Sequence, residues 1–275
     1  MTESMGQLSD WLIVSDVDGT LVMAGDIMPA RNRDAINRFV AKGGRFAIAS
    51  GRSFGRIAHF FDEININAPC VLLNGGAIYN AQTEEYWLEM TLPEHAKAYI
   101  DVLARAPVPN GLGVINRTHY CGVGADITLM NQLFAKRKQS HLHVPRWQDL
   151  TGDWFKVLMV VPKECQEEAL AYVDAQNFDG VRFTLAEAGL LEMIPAQSSK
   201  GYALEQLMEK IALKPERLAV VGDYYNDLEM LDLAGLAAVP NDAPADVQSH
   251  AHLVTCSCAD GAVADVIEYL EKHCR

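Results

Sequence analysis

The amino-acid sequence predicts an α/β protein, a doubly wound Rossmann-like parallel sheet with a second, α+β domain inserted into it. Short, continuously apolar runs alternate with helical patterns at both ends of the chain, as in parallel sheets that helices cover on both faces. The middle instead has short strand candidates beside turn signals. Because the two ends complete each other, we assign 1–81 and 191–275 to a core domain and 82–190 to the insert.

The N-terminal segment is predicted to contain three buried strands joined by helices. Apolar runs lie at 11–14, 46–49 and 71–73. Pro29 is placed to begin a helix after the first run, and the glycine pair 43–44 is placed to end it. This order predicts parallel strands connected by crossover helices.

The C-terminal segment repeats this alternation, with strands predicted at 218–221 and 236–239 and helices along the apolar stripes at 204–211 and 263–270. The insert has two helix-like stretches, near 94–105 and 163–175, and four strand candidates, around 113–116, 119–123, 155–161 and 181–185.

Bulk properties exclude several classes of partner. The net charge of −13 over 275 residues argues against non-specific binding to nucleic acid or to anionic membranes. No apolar run approaches the roughly 20 residues of a membrane span, and the six cysteines lack C-x-x-C spacing. We therefore expect a cytoplasmic protein that binds neither nucleic acid nor membrane, with its oligomeric state left open between monomer and dimer.

Polar side chains follow four of the predicted strands at the point where each strand ends. Asp16 and Asp18 follow the first run, Ser50 the second, Asn74 the third and Asp223 the strand at 218–221. Ligands of open α/β sheets bind beyond the carboxyl ends of the strands. Paired carboxylates at the end of a buried strand are costly unless they face a cation or a reacting group. The sequence therefore predicts one site that gathers these side chains.

These segments resemble the motifs of the haloacid dehalogenase superfamily of phosphotransferases, and all four motifs are matched in order: Asp16–Thr20, Ser50–Arg52, Lys200–Gly201 and Gly222–Asp227. The first two motifs are 34 positions apart, whereas 150 positions separate Ser50 from Lys200. The insert thus follows the second motif, which resembles the type IIB capped branch, the Cof-like phosphatases.

The resemblance implies a phosphatase that works through an aspartyl-phosphate. Asp16 is expected to be the nucleophile, and Asp18 the general acid and base. The implied cofactor is Mg²⁺, held by Asp16, by Asp18 through its backbone carbonyl, and by Asp223. Asp227 is expected either to join these metal ligands or to orient Lys200 or a metal-bound water. Phosphate or substrate contacts are expected from the amides of Val17 and Gly51, the Ser50 hydroxyl, Arg52, Asn74, Lys200 and Asn226.

Several of these residues have structural alternatives. Ser50 could cap the following helix, and Asp227 could stabilise a helix N-terminus. Arg52 could touch substrate or only pair with an acid. His141 and His143 would share one face of a strand and could bind a metal, but no carboxylate or cysteine is spaced to complete the site.

The functional alternatives use the same residues. A phosphomutase or phosphotransferase would pass the phosphoryl group from the same aspartate pair to a sugar hydroxyl. A non-catalytic sensor would only bind a phosphorylated ligand. The expected substrate is a small phosphorylated metabolite, either a sugar phosphate or a phosphorylated cofactor, and the resemblance implies that the cap selects it.

Overall fold

The structure, a computed structural model, describes residues 5–274. This part of the chain forms fourteen strands: β1 (Leu12–Ser15), β2 (Arg45–Ile48), β3 (Cys70–Leu72), β4 (Ala77–Asn80), β5 (Glu85–Glu89), β6 (Gly111–Asn116), β7 (Tyr120–Val123), β8 (Leu142–Val144), β9 (Trp154–Val160), β10 (Val181–Glu187), β11 (Leu190–Pro195), β12 (Leu218–Val221), β13 (Leu236–Pro240) and β14 (Leu253–Thr255).

The same residues form nine α-helices, joined by short 3₁₀ turns: α1 (Ala30–Ala41), α2 (Phe54–Ile57), α3 (Tyr99–Leu103), α4 (Thr128–Lys136), α5 (Gln166–Asp174), α6 (Lys200–Lys210), α7 (Leu228–Leu233), α8 (Ala245–Gln248) and α9 (Ala262–His273). No helix in residues 5–274 is both long enough and apolar enough to cross a membrane.

The core domain is built on a five-stranded sheet in the order β14-β13-β12-β1-β2, in which every neighbouring pair is parallel. All four residues of β1 and of β12 are buried, as a sheet with helices on both faces requires. Leu204 of α6 and Met230 of α7 pack with Val14 on one face, whereas α1 and α9 lie together against other residues of the sheet. The predicted doubly wound parallel sheet is confirmed.

The inserted domain has a six-stranded sheet in the order β10-β11-β9-β6-β7-β8. Every neighbouring pair is antiparallel except β7 and β8. The apolar residues of one sheet face, among them Val114, Val157 and Leu191, form a core with Ile100 of α3 and Val173 of α5. The predicted α+β insert is therefore a mainly antiparallel sheet whose core includes residues of two helices.

The chain divides into two compact units, one of residues up to Leu88 together with those from Ser199 onward, and one of Glu89–Ser198. The sequence-based boundaries, at 82 and 190, differ from these limits for a reason that lies in strand pairing. The antiparallel pair β3–β4 leads into β5 in the first unit. β11 pairs with both β9 and β10 in the second unit.

Candidate active site

The carboxyl ends of the central strands bring the predicted site residues together. Asp16 directly follows β1, is 6% exposed, and its backbone N–H donates to the carbonyl of Val221, the last residue of β12. Asp223 lies two residues beyond that strand end. Asp16, Asp223 and Asp227 each offer a carboxylate oxygen within 4.8 Å of the others. Two neighbouring parallel strands therefore create a cluster of three acids.

Lys200 lies in this acid cluster as the first residue of α6. Its side chain is 1% exposed, and its Nζ lies 2.5 Å from Oδ1 of Asp16 and 2.6 Å from Oδ1 of Asp227. A buried ammonium is costly unless carboxylates compensate it, and here it has two. The cluster of three acids thus contains one positive charge, which contacts Asp16 and Asp227.

The start of α6 is held close to α7, which fixes the position of Lys200. Ser199 caps the helix by accepting the N–H of Tyr202, at 3.0 Å, and its hydroxyl donates to Glu229. A Cβ on Gly201 would lie 2.4 Å from the Cβ of Glu229. Only glycine therefore allows the two helices to approach this closely.

Asp227 joins the lysine to the loop that follows β12. Its Oδ1 accepts from Lys200, and its Oδ2 accepts the backbone N–H groups of Asp223, at 3.0 Å, and Tyr224, at 3.1 Å. This geometry agrees with the interpretation in which Asp227 orients Lys200, and the same carboxylate also belongs to the acid cluster.

Asp223 is fixed by the turn after Asp16. The Thr20 hydroxyl donates to its Oδ1 at 2.8 Å. Gly19 has a left-handed φ of +87°, and a Cβ there would lie 2.5 Å from Oδ2 of Asp223. The glycine of the first motif thus serves both the turn and the close approach of the carboxylate. The sequence did not identify Thr20 as a site residue, although it belongs to that motif.

The charges of the cluster shift the pKa values of its members. Burial raises the pKa of Asp16 well above its usual value, although the Lys200 charge acts in the opposite direction. Burial and the neighbouring charge of Asp227 raise the pKa of Asp223 to about 6. Burial alone would lower the pKa of Lys200, but Asp16 and Asp227 hold it above its usual value. Three hard oxygen donors with a surplus of negative charge suit a divalent cation such as Mg²⁺.

The surplus negative charge of the acid cluster lowers the stability of the fold, and the size of this effect can be measured. The pKa of Asp223 is about 6 in the folded chain, against an ordinary value of 3.8. Because the folded chain holds the Asp223 proton more tightly than the unfolded chain does, this group contributes its full share of stability below about pH 4. That share is lost as the pH rises through 6 and the buried carboxyl ionises. Without divalent cations at pH 8, we therefore expect Asp223→Asn to raise the free energy of unfolding by about 1–3 kcal/mol.

Urea unfolding in EDTA at several pH values measures this effect. The gain should shrink steadily from pH 7 to pH 4, and the exposed acid on α1 changed by Asp34→Asn should show no such trend. A gain from Asp223→Asn that stays constant across this range would contradict the raised pKa.

The Asp18 carboxylate is not a member of the acid cluster and pairs with Arg52. Its Oδ2 lies 3.0 Å from Nε of Arg52 and its Oδ1 2.5 Å from Nη2. The Asp18 side chain is 66% exposed. The expected metal contact of Asp18, through its backbone carbonyl, stays a prediction. Arg52 does pair with an acid, which was one of its two interpretations, and its Nη2 also lies 2.7 Å from Oδ1 of Asp26.

The remaining predicted residues surround the ends of β2 and β3. The Ser50 hydroxyl accepts the N–H of Arg52 at 3.2 Å, and the Ser50 carbonyl accepts the N–H of Asn74. Oδ1 of Asn74 also accepts from Nδ2 of Asn226 at 3.3 Å. A Cβ on Gly51 would lie 3.0 Å from the Asn74 amide. Ser50, Gly51 and Asn74 therefore lie together beyond the ends of β2 and β3, with Asn226 in contact with Asn74.

Val17 and the histidine pair complete the residues considered in the sequence, and the expected phosphate contact of the Val17 amide stays a prediction. Val17 is fully buried, and its carbonyl accepts the N–H groups of Leu21 and Val22, which folds the first motif into a tight turn. His141 and His143 bind separate partners, Asn131 and the Gly124 carbonyl.

Comparison with known proteins identifies the family of the chain. The family model of haloacid dehalogenase-like hydrolases matches residues 13–267. Phosphatase YwpJ of Bacillus subtilis is 22% identical, with 94% of this chain and 99% of that protein covered. The 5-amino-6-(5-phospho-D-ribitylamino)uracil phosphatase YwtE of the same organism is 23% identical, with 94% and 97% covered.

Solved structures give the same fold. A haloacid dehalogenase-like hydrolase from Bacteroides thetaiotaomicron superimposes with a TM-score of 0.85 at 25% identity, covering 94% of this chain and 99% of that one. A sugar phosphatase of HAD subclass IIB superimposes with a TM-score of 0.77 at 15% identity, covering 95% and 99%. The chain belongs to the haloacid dehalogenase-like hydrolases. It is a Cof-like phosphatase, a hydrolase of phosphoric monoesters, and the predicted family is confirmed.

Proposed function

We propose that this chain is a Mg²⁺-dependent phosphatase that hydrolyses a sugar phosphate or a phosphorylated cofactor through an aspartyl-phosphate on Asp16. The observation that supports it most directly is the buried carboxylate of Asp16 in contact with Lys200, beside the carboxylates of Asp223 and Asp227. Such an arrangement provides a nucleophile and a fixed positive charge at the same place.

The names of similar proteins support the substrate class. YwtE acts on a phosphorylated ribityl compound, and the subclass IIB relative is a sugar phosphatase. Both substrates are small phosphoric monoesters of polyhydroxylated molecules, which is the class proposed for this chain.

In the first step, an oxygen of Asp16 attacks phosphorus and the bond from phosphorus to the leaving oxygen breaks. Asp18 gives its proton to that oxygen, so that a neutral alcohol leaves. In the second step, water attacks the aspartyl-phosphate and gives its proton to Asp18. The bond from phosphorus to the Asp16 oxygen breaks, which restores the carboxylate and releases inorganic phosphate.

The other residues bind and orient the phosphoryl group. Lys200 supplies positive charge from a buried position that Asp227 fixes, and Ser50 and Asn226 supply hydrogen-bond donors. Asp16, Asp223 and the carbonyl of Asp18 would hold Mg²⁺. The bound ion would offset the repulsion between the carboxylate and the phosphate.

A phosphate-release screen tests the proposal. We expect the purified protein to release inorganic phosphate from at least one sugar phosphate or phosphorylated cofactor. EDTA should lower the rate at least about 100-fold, and added Mg²⁺ should restore it. The same reaction is analysed for isomerised sugar phosphate. Undiminished release in EDTA, or an isomer formed without phosphate release, would contradict the proposal.

A further inference from the structure

The segment after Asp16 folds into two consecutive turns, and each turn brings one aspartate to the same arginine. Asp18 and Val22 form a parallel bridge around the first turn, and Met23 and Ile27 form an antiparallel bridge around the second, which contains Asp26. Arg52, which follows the end of β2, contacts Asp18 at the start of the first turn and Asp26 in the second. The sequence analysis did not identify Asp26, because nothing in its immediate neighbours marks it as a partner of Arg52.

The three charged side chains differ in their exposure to solvent. The Arg52 side chain is 11% exposed, whereas the Asp26 side chain is 35% and the Asp18 side chain 66% exposed. Arg52 contacts both oxygens of Asp18 and shares its Nη2 with Asp26. A guanidinium held by two carboxylates keeps an anionic partner even when one of them turns away.

Asp18 must turn at least one oxygen from Arg52 to reach a leaving group, because both oxygens accept from Arg52 here. When that oxygen turns away, Asp26 continues to fix the guanidinium. We propose that Asp26 is a positioning residue that anchors Arg52, so that Arg52 in turn sets the orientation from which Asp18 delivers its proton. The inference rests on the proposed role of Asp18 as the general acid.

Comparing kcat/KM for substrates with different leaving groups shows whether Asp18 is correctly oriented as a general acid. An alkyl alkoxide is a poor leaving group and needs a proton, whereas p-nitrophenolate leaves readily without one. The ratio kcat/KM reports only the steps up to loss of the leaving group. A badly oriented Asp18 therefore lowers kcat/KM for an alkyl phosphate, such as glycerol phosphate, and spares p-nitrophenyl phosphate.

The test variant is Asp26→Asn, which removes the charge and keeps the shape. Asp26 has a left-handed φ of 62°, and asparagine tolerates that conformation as aspartate does. We expect kcat/KM to fall about tenfold for glycerol phosphate, a part of the 10²–10⁴-fold that a general acid supplies. For p-nitrophenyl phosphate it should stay within about twofold. The matched control, Asp34→Asn, changes a carboxylate of α1 that pairs only with its neighbour Arg33 among the described ion pairs.

Two further variants separate the inference from the function on which it rests. Asp18→Asn should show the same selectivity for the alkyl substrate, only larger. In the double variant, Asp26→Asn should cause no further loss, because it acts through Asp18.

The positioning role alone is overturned if Asp18→Asn is selective for the alkyl substrate but Asp26→Asn affects both substrates equally, or affects neither. An additive double variant does the same. An Asp18→Asn that lacks selectivity overturns the general-acid role and the positioning role together.

Discussion

Asp16→Asn should lower kcat for phosphate release by about 10⁴-fold or more, with the protein still folded. The amide is a poor nucleophile and forms no stable bond to phosphorus, and loss of a nucleophile typically removes most of the catalysis. Because burial raises the pKa of Asp16, the change also removes a charge that is costly to bury. We therefore expect the free energy of unfolding to change little, although the activity is lost.

A covalent trap gives this prediction a second readout. Wild-type protein quenched with acid during turnover should show a phosphoryl mass increase on the peptide that contains Asp16, and Asp16→Asn should show none. Asp34→Asn, on the exposed face of α1, serves as the control and should retain full activity. Phosphate release by Asp16→Asn at a rate near that of the wild type would mean that the phosphoryl group does not pass through Asp16.

Lys200→Met should destabilise the fold as well as abolish activity. The Lys200 ammonium is the shared partner of Asp16 and Asp227, and all three side chains are at least nine-tenths buried. Removing one member of a buried ion pair costs about 3–5 kcal/mol, because the other is left uncompensated. For a protein of this size that corresponds to a drop in Tm of about 6–15 °C at pH 8.

A compensating change separates charge balance from catalysis. Adding Asp227→Asn to Lys200→Met removes one of the two stranded carboxylates, so the double variant should regain part of the lost Tm without regaining phosphate release. Lys210→Met, at the last residue of α6, is the matched control, since its Nζ lies near the ring of Trp87 rather than in the site. A Tm of Lys200→Met equal to that of the wild type would show that the ammonium does not compensate these acids.

Strand ends explain why so much of the site could be predicted from the sequence. The apolar runs before Asp16, Ser50 and Asp223 are strong signals, and the position of polar residues after them follows from the topology of a parallel sheet. The polar contacts between loops carry no comparable signal. Glu229, which accepts from Ser199, and Asp26, which pairs with Arg52, lie on surface-like segments whose partners are distant in sequence.

The sequence analysis did not predict β4, β5 or α4, and each omission has a physical explanation. β4 and β5 form a small sheet with β3, and two short strands directly after Asn74 look like the approach to the insert. α4 packs on the glycines of β6, where Met130 lies against Gly113. The position of α4 therefore depends on the absence of side chains at Gly111 and Gly113 as well as on its own buried residues Met130, Leu133 and Phe134.

The central position of β1 has a consequence for the order in which the molecule folds. Leu12 of β1 pairs with Leu218 of β12, and the Lys200 that contacts Asp16 is 184 residues further along the chain. Such long-range pairings are slow to form. On the ribosome, the entire insert emerges before β12, the second of the two partner strands of β1, has been synthesised, so the insert is free to fold first. The chain thus gains its complete acid cluster only during the synthesis of its last quarter, in which Asp223 and Asp227 lie.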